Sequence, residues 1–181
     1  MRTALLCVVA STGLFLGLGA CSTAPKTEEG KATLDSKAME AMDAFKRADS
    51  SLQALLDRSY GYAIFPTVGK GAVGVGGAYG RGEVFEKGVL IGYCDLTQGT
   101  VGLQLGGQSY SELIVFENKA ALDRFTSGQL TFDAQASAVA LKSGASSNAK
   151  FANGVVVFTI AKGGLMFEAS IGGQKFSFQP K

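Results

Sequence analysis

The chain has 181 residues and a formal net charge of +2, so we expect no general attraction to nucleic acid. It contains 25 glycines but no histidine. The lack of histidine excludes Ser-His-Asp and Cys-His catalytic groups and removes the commonest zinc ligand, and we expect neither a metal nor another cofactor.

The first twenty residues have the architecture of a bacterial signal peptide. Arg2 supplies a positive charge, an apolar run extends from Ala4 to Leu18, and small residues follow it. The run is too short and too often interrupted by glycine and serine for a transmembrane helix. Leu18-Gly19-Ala20-Cys21 resembles the lipobox of bacterial lipoproteins, in which the peptidase cuts before a cysteine that is then acylated. We therefore expect residues 1–20 to be removed and Cys21 to carry lipid.

The remaining chain has the length of one domain. We predict that residues 21–32 form a lipidated N-terminus and a tether; the polar segment from Ser22 to Lys31 spans at most about 35 Å at full extension. Residues 33–181 are predicted to form a single domain. Cys94 lies in an apolar stretch and is expected to be buried.

Apolar residues recur every three or four positions from Thr33 to Arg58, which predicts an amphipathic helix with a weak point at Asp49-Ser50-Ser51. The acidic and basic residues of this helix balance, whereas helices that lie on membranes usually have a basic polar face. We therefore expect the helix to pack against a sheet.

From Tyr60 onward, short apolar runs alternate with glycines, and the close spacing of turns favours antiparallel strands. Turns are predicted at Glu86-Lys87-Gly88, Gln98-Gly99 and Gly106-Gly107. The predicted strands are Tyr62–Phe65, Ala72–Tyr79, Glu83–Phe85, Val89–Asp95, Thr100–Leu105 and Tyr110–Phe116.

Two helices and further strands follow. The helices are predicted at Asn118–Phe125 and at Asp133–Lys142, each opening with a capping residue. The final strands are predicted at Val155–Ala161, Leu165–Ile171 and Lys175–Phe178, with a hairpin at Gly172-Gly173. The predicted fold class is α+β: a glycine-rich, mainly antiparallel twisted sheet or barrel-like core, an N-terminal amphipathic helix, and two short helices before the final strands.

Motifs that would indicate catalysis or nucleotide binding are incomplete. Gly69–Gly74 matches GxGxxG, but further glycines follow where that fingerprint needs a helix. Ser147–Lys150 matches SxxK without the second motif of that enzyme class. No motif pairs the carboxylates Glu83, Asp95, Glu112 and Glu117. We predict that the chain is not an enzyme; an envelope hydrolase is a third hypothesis that rests only on the compartment.

Tyr62–Gly71 and the glycine-rich Val75–Gly82 resemble the SYLF-domain family. The likeness covers roughly Leu34 to Phe178 and continues through Gly92–Thr97, Val101–Gln108, Glu112–Phe116, Ala121–Phe125 and Ala161–Met166. The resemblance implies a lipid-binding module without catalytic residues. Eukaryotic relatives bind phosphoinositides in actin-linked membrane traffic. Phosphoinositides and actin are implausible partners for a chain with a lipoprotein signal. What carries over is affinity for membrane lipid, with anionic phospholipid as the preferred type.

The sequence thus predicts a membrane-anchored envelope lipoprotein whose domain binds membrane phospholipid. Because Ser22, not Asp, follows the cysteine, the resemblance to enterobacterial lipoproteins implies the outer membrane, with the domain facing the periplasm and surface exposure as the alternative. The alternative function is an envelope structural protein that binds a protein partner and owes its membrane affinity to lipidation only. Each basic residue near an anionic surface contributes about 1 kcal/mol, so several must share one face. The candidate contacts are Lys70, Arg81, Lys142, Lys150, Lys162 and Lys175.

Overall fold

The computed structural model describes residues 23–73, 75–101, 108–133, 136, 138–162 and 170–181. The predicted signal peptide, Cys21, the turn at Gly106-Gly107 and most of the predicted strands Thr100–Leu105 and Leu165–Ile171 lie outside the described residues.

Two helices form the N-terminal part of the domain. Helix α1 spans Glu28–Ala48 and helix α2 spans Leu52–Arg58, so the weak point predicted at Asp49 is a break between helices. Helix α1 begins five residues before the predicted start at Thr33, because Thr27 caps it: its hydroxyl accepts a hydrogen bond of 3.0 Å from the backbone N–H of Gly30.

Four long strands form an antiparallel meander: β1 (Gly61–Val73), β2 (Val75–Glu86), β3 (Val89–Val101) and β4 (Gln108–Phe116). The tight turn predicted at Lys87-Gly88 is confirmed, since both residues have positive φ, 48° and 80°. The turn predicted at Gln98-Gly99 is wrong. Both residues lie inside β3, where they pair with Ala78 and Gly77 of β2.

The helix predicted after the meander is confirmed as α3 (Lys119–Thr126), whose N-terminus is capped by the side chain of Asn118. The helix predicted at Asp133–Lys142 is wrong. Its described residues are not helical, and Val139–Ala140 form the short strand β5, parallel to β6. Alanine favours a helix, but β5 satisfies backbone groups at the edge of β6, and this tertiary pairing prevails over local preference.

The remaining elements are a one-turn helix and two strands. Helix α4 spans Ala145–Asn148, inside a predicted loop, and strands β6 and β7 span Val155–Lys162 and Gln174–Pro180. The predicted hairpin at Gly172-Gly173 is confirmed as a turn, in which Gly173 has a φ of +74°.

The seven strands described have the order β5-β6-β4-β1-β2-β3-β7, and every pair except β5–β6 is antiparallel. The sheet is strongly curled, but it is not closed. The side-chain amide of Gln174 on β7 donates a hydrogen bond of 3.0 Å to the carboxylate of Glu112 on β4. In a flat sheet, four strand spacings would separate these strands by about 19 Å. The predicted α+β class with a twisted, mainly antiparallel sheet is therefore confirmed.

The curl gives the sheet two unlike faces. The inner face carries Phe65, Leu96 and Ile114, and α3 packs into it through Phe125, whose ring lies 5.1 Å from Phe116 and 4.9 Å from Phe176 on β7. The outer face is covered in part by α1 and α2. Burying each large apolar side chain there contributes about 1.5–3 kcal/mol, so the helix packs on the sheet as predicted. This second cluster includes Ala38, Ala41, Met42, Phe45, Leu52, Leu55, Ile64, Leu113, Val115, Val156 and Phe158.

Candidate membrane-binding surface

The part of the outer face not covered by helices is crossed by one row of residues with a lysine at each end. Residues directly opposite one another in paired strands project from the same face. Over five strand spacings the row extends about 24 Å when measured along the sheet. In strand order it consists of Lys162, Ser109, Gly69, Tyr79, Thr97 and Lys175.

The neighbouring row on the same face contains an ion pair. Arg81 Nε lies 3.2 Å from Asp95 Oδ1, and the hydroxyl of Tyr79 donates a hydrogen bond of 3.1 Å to the same oxygen. Burial and the nearby Asp95 raise the pKa of Tyr79, so its hydroxyl stays protonated at neutral pH. At the other side, Lys162 Nζ donates a hydrogen bond of 3.0 Å to Thr67 Oγ1. Two cationic side chains are therefore held in place on this surface by polar neighbours.

The described chain begins against the same face, at β7. The hydroxyl of Thr23 donates to Ser177 Oγ at 3.3 Å, and the backbone N–H of Ala24 donates to Gln179 Oε1 at 3.1 Å. Thr23 and Ala24 are both buried. Ser177 lies two residues from Lys175 on the same strand, and the two side chains share a face. Residues that were predicted to be part of a tether are thus packed beside the lysine row.

The predicted contact residues fall into three groups. Arg81, Lys162 and Lys175 lie together on the uncovered outer face. Lys70 lies opposite Ala78, a residue of the inner-face core, and therefore on the other side of the sheet. Lys142 and Lys150 lie on the loops that flank α4, outside the strand rows.

Tyr79 was missed by the sequence reasoning, although 51% of its surface is exposed on the outer face. The signal that could have found it is a large aromatic residue placed among glycines in a predicted strand. The docking of Thr23 was also missed, because a short polar segment does not indicate its own binding site.

The incomplete motifs do not assemble into a catalytic arrangement among the described residues. Gly69–Val73 lies within β1, and β2 follows it instead of a helix. The hydroxyl of Ser147 donates to the carbonyl oxygen of Gly144 at 2.9 Å, while Lys150 is exposed beyond α4. Desolvation raises the pKa of the buried Glu83 and Glu112 to about 7, but the two carboxyl groups lie on opposite faces of the sheet.

No cluster of three or more residues that could hold a metal ion occurs among the described residues. None of the described helices combines the length and the apolar composition that crossing a bilayer requires.

The described residues form a curled α+β sheet whose outer face is covered in part by helices. Comparison with known proteins identifies it further. Residues 97–181 match a family model described as "Ysc84: Las17-binding protein actin regulator". The protein "Beta cell expansion factor A" of Aeromonas veronii is 29% identical over 154 residues, which are 84% of this chain and 59% of that protein. The chain thus spans 59% of that relative's length. Both matches agree with the resemblance to the SYLF family that the sequence predicts.

Proposed function

We propose that the protein is an envelope lipoprotein, anchored to the outer membrane through an acylated Cys21, whose domain faces the periplasm and binds anionic phospholipid through the uncovered outer face. The observation that supports this best is the docking of Thr23 on β7 beside Lys175. Cys21 lies two residues before Thr23, so its Cα is at most about 7 Å from that of Thr23. An acyl chain at Cys21 would therefore bring the bilayer to this face of the sheet.

The charges on the uncovered face suit such a contact. Lys162, Lys175 and Arg81 lie on this face. Among the described residues of the two rows, the acidic residue is Asp95. Two or three basic side chains near an anionic bilayer contribute about 1 kcal/mol each, which is weak for a free protein. An anchored domain, however, meets the bilayer at an effective concentration in the millimolar range. The acyl group would supply residence at the membrane, and the basic face would set the orientation.

Vesicle flotation of residues 21–181 carrying Cys21→Ser tests the contribution of the domain alone. We expect recovery with vesicles that contain phosphatidylglycerol and much less with vesicles of phosphatidylcholine. Lys162→Gln combined with Lys175→Gln should weaken partitioning about 30-fold, which corresponds to about 2 kcal/mol. Lys142→Gln combined with Lys150→Gln removes the same charge from outside the rows and should change partitioning far less.

Two outcomes would contradict the proposal. Mass spectrometry that finds an unmodified mature N-terminus would remove the anchor. Equal recovery on neutral and anionic vesicles, or no recovery on either, would remove the electrostatic contact. A dominant protein adduct after crosslinking in cells would then favour the alternative, in which the acyl group supplies all membrane affinity and the domain binds a protein partner.

A further inference from the structure

The glycines of the sheet fall into two classes that differ in what surrounds them. On the inner face, a Cβ added at Gly82 would run into the carbonyl oxygen of Ile64 and lie 2.8 Å from Phe65 Cδ1. A Cβ at Gly80 would lie 2.8 Å from Val68 Cγ2. These glycines leave room for the side chains that fill the curled sheet, and packing alone explains them.

The outer-face glycines have no such explanation. Among the described residues, a Cβ added at Gly69, Gly71 or Gly99 would meet no atom within 4 Å, and one at Gly77 would meet only the carbonyl oxygen of Gln98, at 3.3 Å. All four residues are exposed, and none has the left-handed φ that favours glycine. A glycine within a strand costs roughly 0.5–1 kcal/mol relative to alanine. Strand glycines without an internal cause are typical of sites where another molecule approaches the backbone closely.

These four glycines, which we call the glycine platform, lie between the two lysines. Gly69 and Gly71 are on β1, Gly77 is on β2 and Gly99 is on β3. Lys162 is on β6, two strands beyond β1, and Lys175 is on β7, one strand beyond β3. Because the sheet curls toward its inner face, the outer face is convex and the platform is at its crown. Apart from Tyr79, short groups at the crown and long side chains at the flanks give a convex sheet a flatter contact profile.

We propose that the glycine platform lies directly on the headgroup region of an anionic phospholipid bilayer, with Lys162 and Lys175 reaching lipid phosphates on either side. This inference rests on the proposed function and specifies its contact surface. The bilayer is the occupant that the chain's own course favours, since the described residues begin at Thr23, on the rim of this surface, two residues after Cys21 in the sequence. Tyr79, half exposed beside the platform, has the apolar ring and polar hydroxyl that are typical of residues at membrane interfaces.

Site-specific fluorescence on the acylated full-length protein tests this contact. The protein is purified from membranes and reconstituted in vesicles of phosphatidylglycerol and phosphatidylcholine, with an environment-sensitive dye at Gly71→Cys. The matched control carries the dye at Val89→Cys, a site that is 65% exposed at the opposite end of the strands. Cys94 is fully buried and should not react with the dye. We expect a blue shift and strong quenching by headgroup-region nitroxide lipids at position 71, and neither effect at position 89.

A second variant tests the role of the missing side chains. Gly69→Thr combined with Gly71→Thr adds bulk into open space, so the melting temperature should stay the same or rise. With the dye at Thr97→Cys, on the same face, this double variant should lose most of the nitroxide quenching that the unsubstituted platform allows. A merely structural role for the glycines would instead lower the melting temperature and leave the quenching of the folded fraction unchanged.

The outcomes separate this inference from the proposed function. If the protein floats with vesicles but position 71 behaves like position 89, the platform is overturned while membrane anchoring stands. If the protein does not float with vesicles, both proposals fail. If the dye at position 71 becomes buried without vesicles, in proportion to protein concentration, the platform binds a second copy of the chain and the bilayer contact is overturned.

Discussion

Gln174 on β7 donates a hydrogen bond of 3.0 Å to Glu112 on β4, across the inside of the curled sheet. Both side chains are buried, and Glu112 Oε1 and the Tyr110 hydroxyl have no hydrogen-bond partner among the described residues. Desolvation raises the pKa of Glu112 to about 7, although Gln174 and Tyr110 act in the opposite direction. A polar contact of this kind inside an apolar core ties together two strands that are far apart in the sheet order.

The first prediction concerns the pH dependence of stability. Because the pKa of Glu112 is raised to about 7 from 4.5, the folded protein keeps a proton that the unfolded chain has released. The stabilisation is complete below about pH 4.5 and is lost as the pH rises through about 7, by up to about 3 kcal/mol. Burial and Asp35 raise the pKa of Glu83 in the same direction. Urea unfolding from about pH 5 to about pH 8 should therefore show falling stability.

Glu112→Gln is the matched variant for this measurement, since it keeps the shape and stays neutral at every pH. This variant should reduce the fall in the free energy of unfolding with rising pH. The fall that remains should be the part due to Glu83. A wild-type stability that rises over the same pH range would show that the folded state does not hold these protons.

The second prediction concerns Asp49, which joins the break between α1 and α2 to the loop around α4. Its Oδ2 accepts a hydrogen bond of 2.7 Å from the backbone N–H of Ser146. Its Oδ1 accepts hydrogen bonds from the backbone N–H of Gly144 and from the backbone N–H and the hydroxyl of Ser51. Burial acts to raise the pKa of this carboxyl, but the hydrogen bonds from Ser146 and Ser51 outweigh it and lower the pKa. The stabilisation is therefore present above about pH 4 and is lost in stronger acid.

Asp49→Ala leaves the backbone N–H groups of Ser51, Gly144 and Ser146 without their acceptor and should lower the free energy of unfolding by about 2–4 kcal/mol. Asp49→Asn keeps one acceptor oxygen and should cost less. Chemical denaturation at neutral pH measures both variants. Equal stability of the alanine variant and the wild type would mean that these hydrogen bonds are exchanged for water without loss.

The third prediction compares glycines of the two classes. Gly82→Ala places a methyl group against the Ile64 carbonyl and the Phe65 ring, so we expect a loss of at least about 2 kcal/mol or a failure to fold. Gly99→Ala adds the same group in open space and should be neutral or stabilise by about 0.5–1 kcal/mol. Thermal unfolding of the pair tests the distinction. Similar destabilisation by both substitutions would mean that the outer glycines are needed for folding.

The fourth prediction concerns Asp95, the acid that holds Arg81. Asp95→Asn removes a negative charge from the uncovered face and leaves the charge of Arg81 unneutralised there, so binding to anionic vesicles should strengthen by about five- to tenfold at low salt. The surface ion pair itself contributes about 0–1 kcal/mol, so the fold should tolerate the change. Flotation at several salt concentrations measures the effect. Weaker binding would indicate that the ion pair positions Arg81 for its contact.

The sequence alone identifies the fold class well, for particular physical reasons. The spacing of apolar residues in α1 predicts one helix face that packs against a sheet. Met42 and Phe45 lie on that face, in the cluster that α1 shares with the sheet. Glycines caused the errors in strand length. They are predicted to separate short strands, whereas Gly69 and Gly71 lie within β1, Gly80 and Gly82 within β2, and Gly99 within β3.

The grouping of the basic residues could not be obtained from the sequence. The register of β1 against its neighbours shifts between Ile64 and Val68, at a bulge next to Pro66. Such an extra residue exchanges the two faces of everything that follows it, so it places Gly69 outside and Lys70 inside. No local pattern marks a bulge of this kind, and the position of each lysine depends on it.

The order of the strands has a consequence for truncated versions of the protein. The matched segment 97–181 contains β4, β5, β6, β7 and the end of β3, but it lacks β1, β2 and most of β3, which separate β4 from β7. A polypeptide starting at residue 97 would hold two lateral fragments of a sheet without its middle. Loss of the first two strands of the meander should therefore abolish cooperative folding, however completely the matched region is retained.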